Sequence, residues 1–404
     1  MTLISTRSPF VKTFTGGLDG GFTLIVDIGY YEDTGDAKFQ SLNTYNIDFA
    51  TTTQVDLSPL IRSSIFSAGS NSEIDIETLV VKTSWEFPPF SSAPEADKIY
   101  TASDGWFKYE EGFNKDLSEE LLENCFYAGS NDVIYKSDDE SLRIPMFMPL
   151  FELYSAKIYF YKDGEVVSEV DTDFGYIEEQ VIGGVFKSIY QTSNINTIIN
   201  SAPDLNFKNR VLLDGGTIED NQCIDAFFRN NEVYGVDEVV IEITYYPDGE
   251  GGQEIVSTKR LEVKDIVECK YEPYRVSFIN RYGSEEDLWF FKRSDTTLNT
   301  EREMFRKNNV DAYMQGDLSN HNYKDFNVNG RETIKLNSGY LPESFYENFS
   351  QMHLSESVWI FVDGKKLPVN ITESSLSEKK HVNDKLVNYT VELQYSFDRI
   401  GNIF

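Results

Sequence analysis

The chain has 404 residues, 40% of them hydrophobic and 14% aromatic, which excludes a disordered polymer and leaves room for two or three packed cores. Its 36 basic and 67 acidic residues give a formal net charge of −31, a surface that repels phosphate and so excludes a protein that grips nucleic acid or an anionic membrane. The opening MTLISTRSPFVKTF lacks an apolar leader core and no stretch reaches the ~18 apolar residues of a span, so neither a signal peptide nor membrane insertion is expected.

Period-two alternation broken by Gly, Asp and Asn dominates the chain. GFTLIVDIGYYEDTGDAKFQSLNTYNIDF predicts two strands around an acidic turn. VDLSPLIRSSIF then predicts a short helix through Phe66, with Ser58 as cap and Pro59 at the first helical position. The prolines of KTSWEFPPFSSAP exclude a central strand there, and DLSEELLENCFYAG predicts a second short helix. In KIYFYKDGEVVSEV, Asp163 and Gly164 suit a type I′ hairpin turn. DEVVIEITYYPDGEGGQEIVSTKRLEV repeats the plan around a longer acidic loop, and its acidic residues beside Val240, Ile243 and Tyr245 predict one solvated face.

Beyond Cys269, YRVSFINRYG and LWFFKRS read as paired strands, TEREMFRKNNVDAYM as a helix or an irregular excursion, and RETIKLNSGYL as another strand. PESFYENFSQMHLSE starts with Pro342 and sets Phe345, Phe349 and Met352 on one helical face. VWIFVDGKKLPVNI predicts a hairpin around Asp363 and Gly364, and NYTVELQYSFDRI a last strand with Tyr389, Val391, Leu393, Tyr395 and Phe397 on one face. The expected fold class is mainly β: antiparallel β-sandwich domains with a C-terminal antiparallel sheet carrying one packed helix. The expected domains are an N-terminal β-sandwich-like domain (1–111), a middle β-rich domain (112–267) and a C-terminal α+β assembly domain (268–404).

No motif for chemistry survives inspection. His321, His353 and His381 lack metal-ligand spacing, and GGLDGG (Gly16 to Gly21) and LLDGG lack the Lys and Ser/Thr of a phosphate loop. The acidic pieces DTDFG, SDDES and PDGEGG do not follow the calcium-loop pattern. No nucleophile elbow is present, and carboxylate pairs occur by abundance alone. No enzyme activity, cofactor or metal is expected. Cys125, Cys223 and Cys269 form no C-x-x-C pair and read as reduced, buried thiols. The sequons at Asn348, Asn370 and Asn388 read as accidents of composition.

The stretch YRVSFINRYGSEEDLWFFKRS places two apolar runs around a short polar hinge. Leu288 and Phe290 point one way, Trp289 and Phe291 the other, as in a strand covered on both faces. With Trp359 these four form the candidate interface, where the domain meets its own helix or a neighbouring subunit. Trp85, Trp106, Trp289 and Trp359 could alternatively stack on sugar rings, although each lies in or beside an apolar alternating stretch typical of a core.

CKYEPYRVSFINRYGSEEDLWFFKRS, then NYKDFNVNGRETIKLNSGYLPESFYENFSQMHLSESVWIF, then LPVNITESSLSEKKHVNDKLVNYTVELQYSFDRIGNI resemble virion tail proteins of tailed phages, particularly those of Bacteroidetes bacteria. RSPFVKTF and TQVDLSPLIRSSI resemble the opening of the same proteins, so the resemblance covers about half of the chain, at its two ends. It implies a structural tail protein: a homo-oligomeric ring in the baseplate, tail tube or connector, whose partners are itself and other tail proteins. The implied location is the virion, with assembly in the host cytoplasm. No specific nucleic-acid binding is expected, and a lumen lined by this acidic chain would let genome DNA pass without adhering. The competing expectation is a receptor- or carbohydrate-binding module at the tail tip.

Overall fold

The computed structural model describes residues 3–15, 22–31, 39–49, 52–68, 78–87, 90–91, 98–137, 142–145, 154–174, 176–182, 185–191, 205–208, 223–226, 236–245, 255–307, 321–373, 375–378 and 386–400. Two compact units emerge: Met1–Asp265 with Ile279–Glu286, and Ile266–Phe278 with Asp287–Phe404. Mainly antiparallel β structure, with one α-helix among the described residues of the C-terminal unit, agrees with the expected fold class.

In the first unit come β1 (Leu3–Ser5), β2 (Val11–Thr15), β3 (Phe22–Tyr31), β4 (Phe39–Phe49), β5 (Thr52–Asp56), helix α1 (Ser58–Ala68), β6 (Thr78–Phe87), β7 (Phe90–Ser91) and β8 (Lys98–Ser103). Strands β1, β8, β6, β3 and β4 lie side by side in that order, with β1 parallel to β8 and β7 returning on β6, while β2 pairs with β5. Helix α1 starts where the sequence predicts, but Asp56 rather than Ser58 supplies the capping oxygen. Its Oδ1 accepts from the Ser58 N–H at 3.0 Å, the Ser58 hydroxyl at 2.7 Å and the Phe10 N–H at 3.0 Å. Leu57 and Ile61 bury the inner face of its first turn.

Next are α2 (Ser118–Glu123), β9 (Val133–Lys136), β10 (Leu142–Pro145), β11 (Tyr154–Lys162), β12 (Glu165–Phe174), β13 (Tyr176–Ile182), β14 (Val185–Gln191), β15 (Leu205–Lys208), β16 (Cys223–Ala226), β17 (Glu238–Tyr245) and β18 (Ile255–Asp265). A five-stranded sheet runs β12-β11-β17-β18-β9, a three-stranded one β10-β16-β15, and β13 pairs with β14. The β11–β12 turn is the predicted one: Asp163 and Gly164 take φ of 52° and 81°, the left-handed pair that a type I′ turn requires. In β17 the expected solvated face is not observed around Val240. Val239, Val240 and Ile241 are all buried, so both faces of β17 are covered there. Ile158, Phe160, Ile241 and Leu261 from these strands join Leu121 and Phe126 of the α2 region in one core.

The second unit is built on β19 (Tyr274–Ile279), β20 (Glu285–Phe290), β21 (Asp295–Arg306), β22 (Tyr323–Pro342), helix α3 (Tyr346–Leu354), β23 (Val358–Val362), β24 (Lys365–Ile371) and β25 (Leu386–Tyr395). They form one sheet in the order β20-β19-β23-β24-β25-β22-β21. Alternation in β25 is as predicted: Val387, Tyr389, Val391, Leu393 and Tyr395 are buried. Phe397 lies past the strand and is exposed, its ring 5.4 Å from that of Tyr395. Phe345, Phe349 and Met352 are buried as the helical spacing predicts, and Phe349 stacks 4.4 Å from Tyr389 of the sheet. Burying each such ring contributes about 1.5–3 kcal/mol. Asn348 of the first sequon is also buried, inside α3. His381 and the Gly16–Gly21 and 212–216 glycine runs lie outside the described residues.

In TEREMFRKNNVDAYM, Thr300–Arg306 departs from its expectation, since it belongs to β21, hydrogen-bonded to β22 along its length, while residues 308–314 lie outside the described ones. Glu, Arg and Met favour helix intrinsically, but cross-strand pairing overrides so weak a preference. Among the described residues no helix is long and apolar enough to cross a membrane.

Candidate interaction surface

Leu288, Trp289 and Phe290 of the candidate interface are buried within the chain, whereas Phe291 and Trp359 are half-buried. Phe290 meets Phe349 of α3 edge to face at 5.9 Å, so one side of β20 is covered by the unit's own helix. Phe291 lies against Gly339, which sits at φ +74° in a bulge of β22; a Cβ there would come within 2.5 Å of the ring. Trp359 pairs with Ser277 across β19 and β23, and Lys366 places its Nζ 4.1 Å from the indole centroid. Among the described residues, Trp106 is half-buried and Trp289 buried.

The polar hinge between the two apolar runs is buried in the first unit. Asn280 Nδ2 donates to the Ala128 carbonyl at 2.7 Å and to Glu286 at 3.1 Å, while its Oδ1 accepts from the N–H groups of Tyr282 and Ser284, both at 3.1 Å. Glu286 also accepts from the N–H and hydroxyl of Ser130, at 3.0 and 2.7 Å. Arg281 reaches Glu111 at 3.0 Å and Glu120 at 3.4 Å, and the Tyr282 hydroxyl donates to Glu120 at 2.6 Å. Burial, then that hydrogen bond, pushes the Tyr282 phenol well above its ordinary value. Burial pushes the Glu111 carboxyl up, but the Lys108 N–H and Arg281 together leave it below the usual carboxylate range. Each of these carboxylates is engaged by donors of the chain itself, an arrangement that fixes a turn. Among the described residues no group of His, Cys, Asp and Glu is placed to hold a metal ion.

An open surface of the second unit belongs to residues the sequence did not single out. All twelve residues of β21, and Tyr323–Val328 of β22, are exposed. β25 pairs with β22 only from Thr333 onward, so the earlier part of β22 has β21 as its one partner among the described strands. A two-stranded ribbon therefore extends from the edge of the sheet. Phe305 and Phe326 meet edge to face at 5.6 Å on one face, and Met304 and Tyr323 occupy the opposite face. Four large apolar side chains between 44% and 67% exposed on so short a ribbon exceed what scattered surface hydrophobics explain. The sequence signal was present in the single letters, Met-Phe among Glu and Arg, but had no period to reveal it.

No family model matches the sequence, and no curated protein matches it. Among solved structures the chain is similar, at 8% identity over 98% of this chain and 93% of the other, to one from work on host cell surface retention of a 1.5-MDa bacterial ice-binding adhesin. The TM-score is 0.15, so the likeness carries no argument.

Proposed function

We propose that the chain is a structural protein of a bacteriophage tail, forming a homo-oligomeric ring in the baseplate, tail tube or connector and docking other tail proteins. The observation that carries this reading is the exposed ribbon β21–β22 at the edge of the seven-stranded sheet. An open edge with apolar residues on both faces is unfavourable for a protein that works alone and useful for one that assembles. The resemblance of the two ends of the chain to tail proteins supplies the kind of assembly. The charge of −31 fits a ring through which DNA passes without adhering.

Electron microscopy of intact particles tests the reading. The expected result is density for this chain arranged symmetrically about the tail axis; absence of the chain from the virion would sink the proposal. A receptor- or carbohydrate-binding module is the other reading, and a glycan array decides it: saturable binding of one sugar, lost on changing a single Trp, would favour it. The half-buried Trp359, with Lys366 against its ring, gives that reading little geometric support.

A further inference from the structure

We infer that the ribbon formed by β21 and the first half of β22 is an arm that a second copy of this chain covers. The inference rests on the assembly reading above and deepens it by naming the surface and its occupant. An isolated two-stranded ribbon is marginally stable in water, and this one has exposed side chains on both faces and β21 as the terminal strand of its sheet. Along the outer side of such a strand the backbone N–H and C=O groups face solvent in a row, which is a template for another strand.

Area and charge together point to a second copy as the occupant. Leu298, Met304, Phe305, Tyr323 and Phe326 are roughly half exposed. At about 200 Å² per large side chain they offer on the order of 500 Å² per copy, or about 1,000 Å² for two copies, the lower bound for a specific interface. Two chains of net charge −31 repel each other over most of their surface. The ribbon is close to neutral: its exposed residues include four acids (Asp295, Glu301, Glu303, Asp325) and three bases (Arg302, Arg306, Lys324). These also neutralise one another locally, as Arg302 and Asp325 do at 3.3 Å. A strongly basic partner would be drawn to acidic surface rather than to a near-neutral ribbon, whereas a like copy meets little repulsion here.

The test uses the full chain and the variants Met304→Glu and Phe326→Ser, one on each face. Mass is followed by size-exclusion chromatography with light scattering over a wide concentration range, and hydrogen exchange by mass spectrometry is read on β21 at both ends of that range. Expected are self-association of the wild type, slowed exchange of β21 at high concentration, and a dissociation constant raised at least about tenfold in each variant. The exchange measurement on the wild type decides even if a variant folds poorly. Association with unchanged β21 exchange and unaffected variants would overturn the arm while leaving the ring reading intact. A wild type that stays monomeric throughout would overturn pairing with a second copy and assign the ribbon to a different tail protein, and the ring reading would then stand or fall on the particle images.

Discussion

Arg143 and Glu285 form an ion pair at 3.3 Å although their side chains are only 7% and 1% exposed. Two charges so far from water need compensation, part of which each supplies to the other, so removing one partner leaves the second short of countercharge. Glu285→Leu alone is therefore expected to destabilise the chain by about 3–5 kcal/mol. The double variant Arg143→Met with Glu285→Leu should lose far less than the sum of the single changes. Urea denaturation followed by circular dichroism measures the cycle; additive losses would show that the pair is not coupled.

Gly339 gives a second, independent prediction. Its φ of +74° disfavours any side chain, and an added Cβ meets Phe291 Cε2 at 2.5 Å. Gly339→Ala should cost on the order of 2 kcal/mol from strain and overpacking together. Combining it with Phe291→Leu removes part of the clash and should make the pair sub-additive in the same denaturation experiment. Full additivity would place the whole cost in the backbone.

Both relationships bear on what could be read beforehand. The turns at Asp163-Gly164 and Asp363-Gly364 were legible because a two-residue hairpin demands positive φ at both positions, and the sequence meets the demand locally. The buried faces of α3 and β25 were legible because their periods, 3.6 and 2, are written in consecutive residues. Leu288, Trp289 and Phe290 announced a strand apolar on both sides, and burial there follows from local composition. The polar hinge between the runs did not announce its burial. Asn280 and Glu286 are satisfied by Ala128 and Ser130, more than 150 positions away, and no local pattern reports such partners. Residues 300–306 were obscured for a related reason: their helical propensity is local, whereas their strand pairing with β22 is not.

Cysteine chemistry separates residues that the sequence grouped together. All three thiols were expected to be buried, yet Cys269 is exposed, while Cys125 is buried and desolvation pushes its thiol up to about 11. The thiolate is the reactive form, so brief alkylation of the native protein at neutral pH should label Cys269 and spare Cys125. Peptide mapping by mass spectrometry reads the result. Equal labelling would mean that the core around Leu121 and Phe126 opens on the timescale of the reaction.

His353, in the last turn of α3, is half-buried, and desolvation alone holds its imidazole below the usual value of 6.5. The unfolded chain thus takes up a proton on His353 at a higher pH than the folded one. With more protons bound in the unfolded state, stability must rise with pH across that interval. The contribution is complete above the unfolded value and is lost progressively as pH falls below it, down to the folded value. Glu111 and Glu268 are shifted down from 4.5, so their losses begin at more acidic pH and do not overlap the upper part of this window. Denaturation midpoints between pH 8 and about 5 should decline toward acid in the wild type, and less steeply in His353→Gln. Identical slopes would mean that the imidazole is hydrated, and that the end of α3 is less closely packed than the burial of Phe349 and Met352 requires.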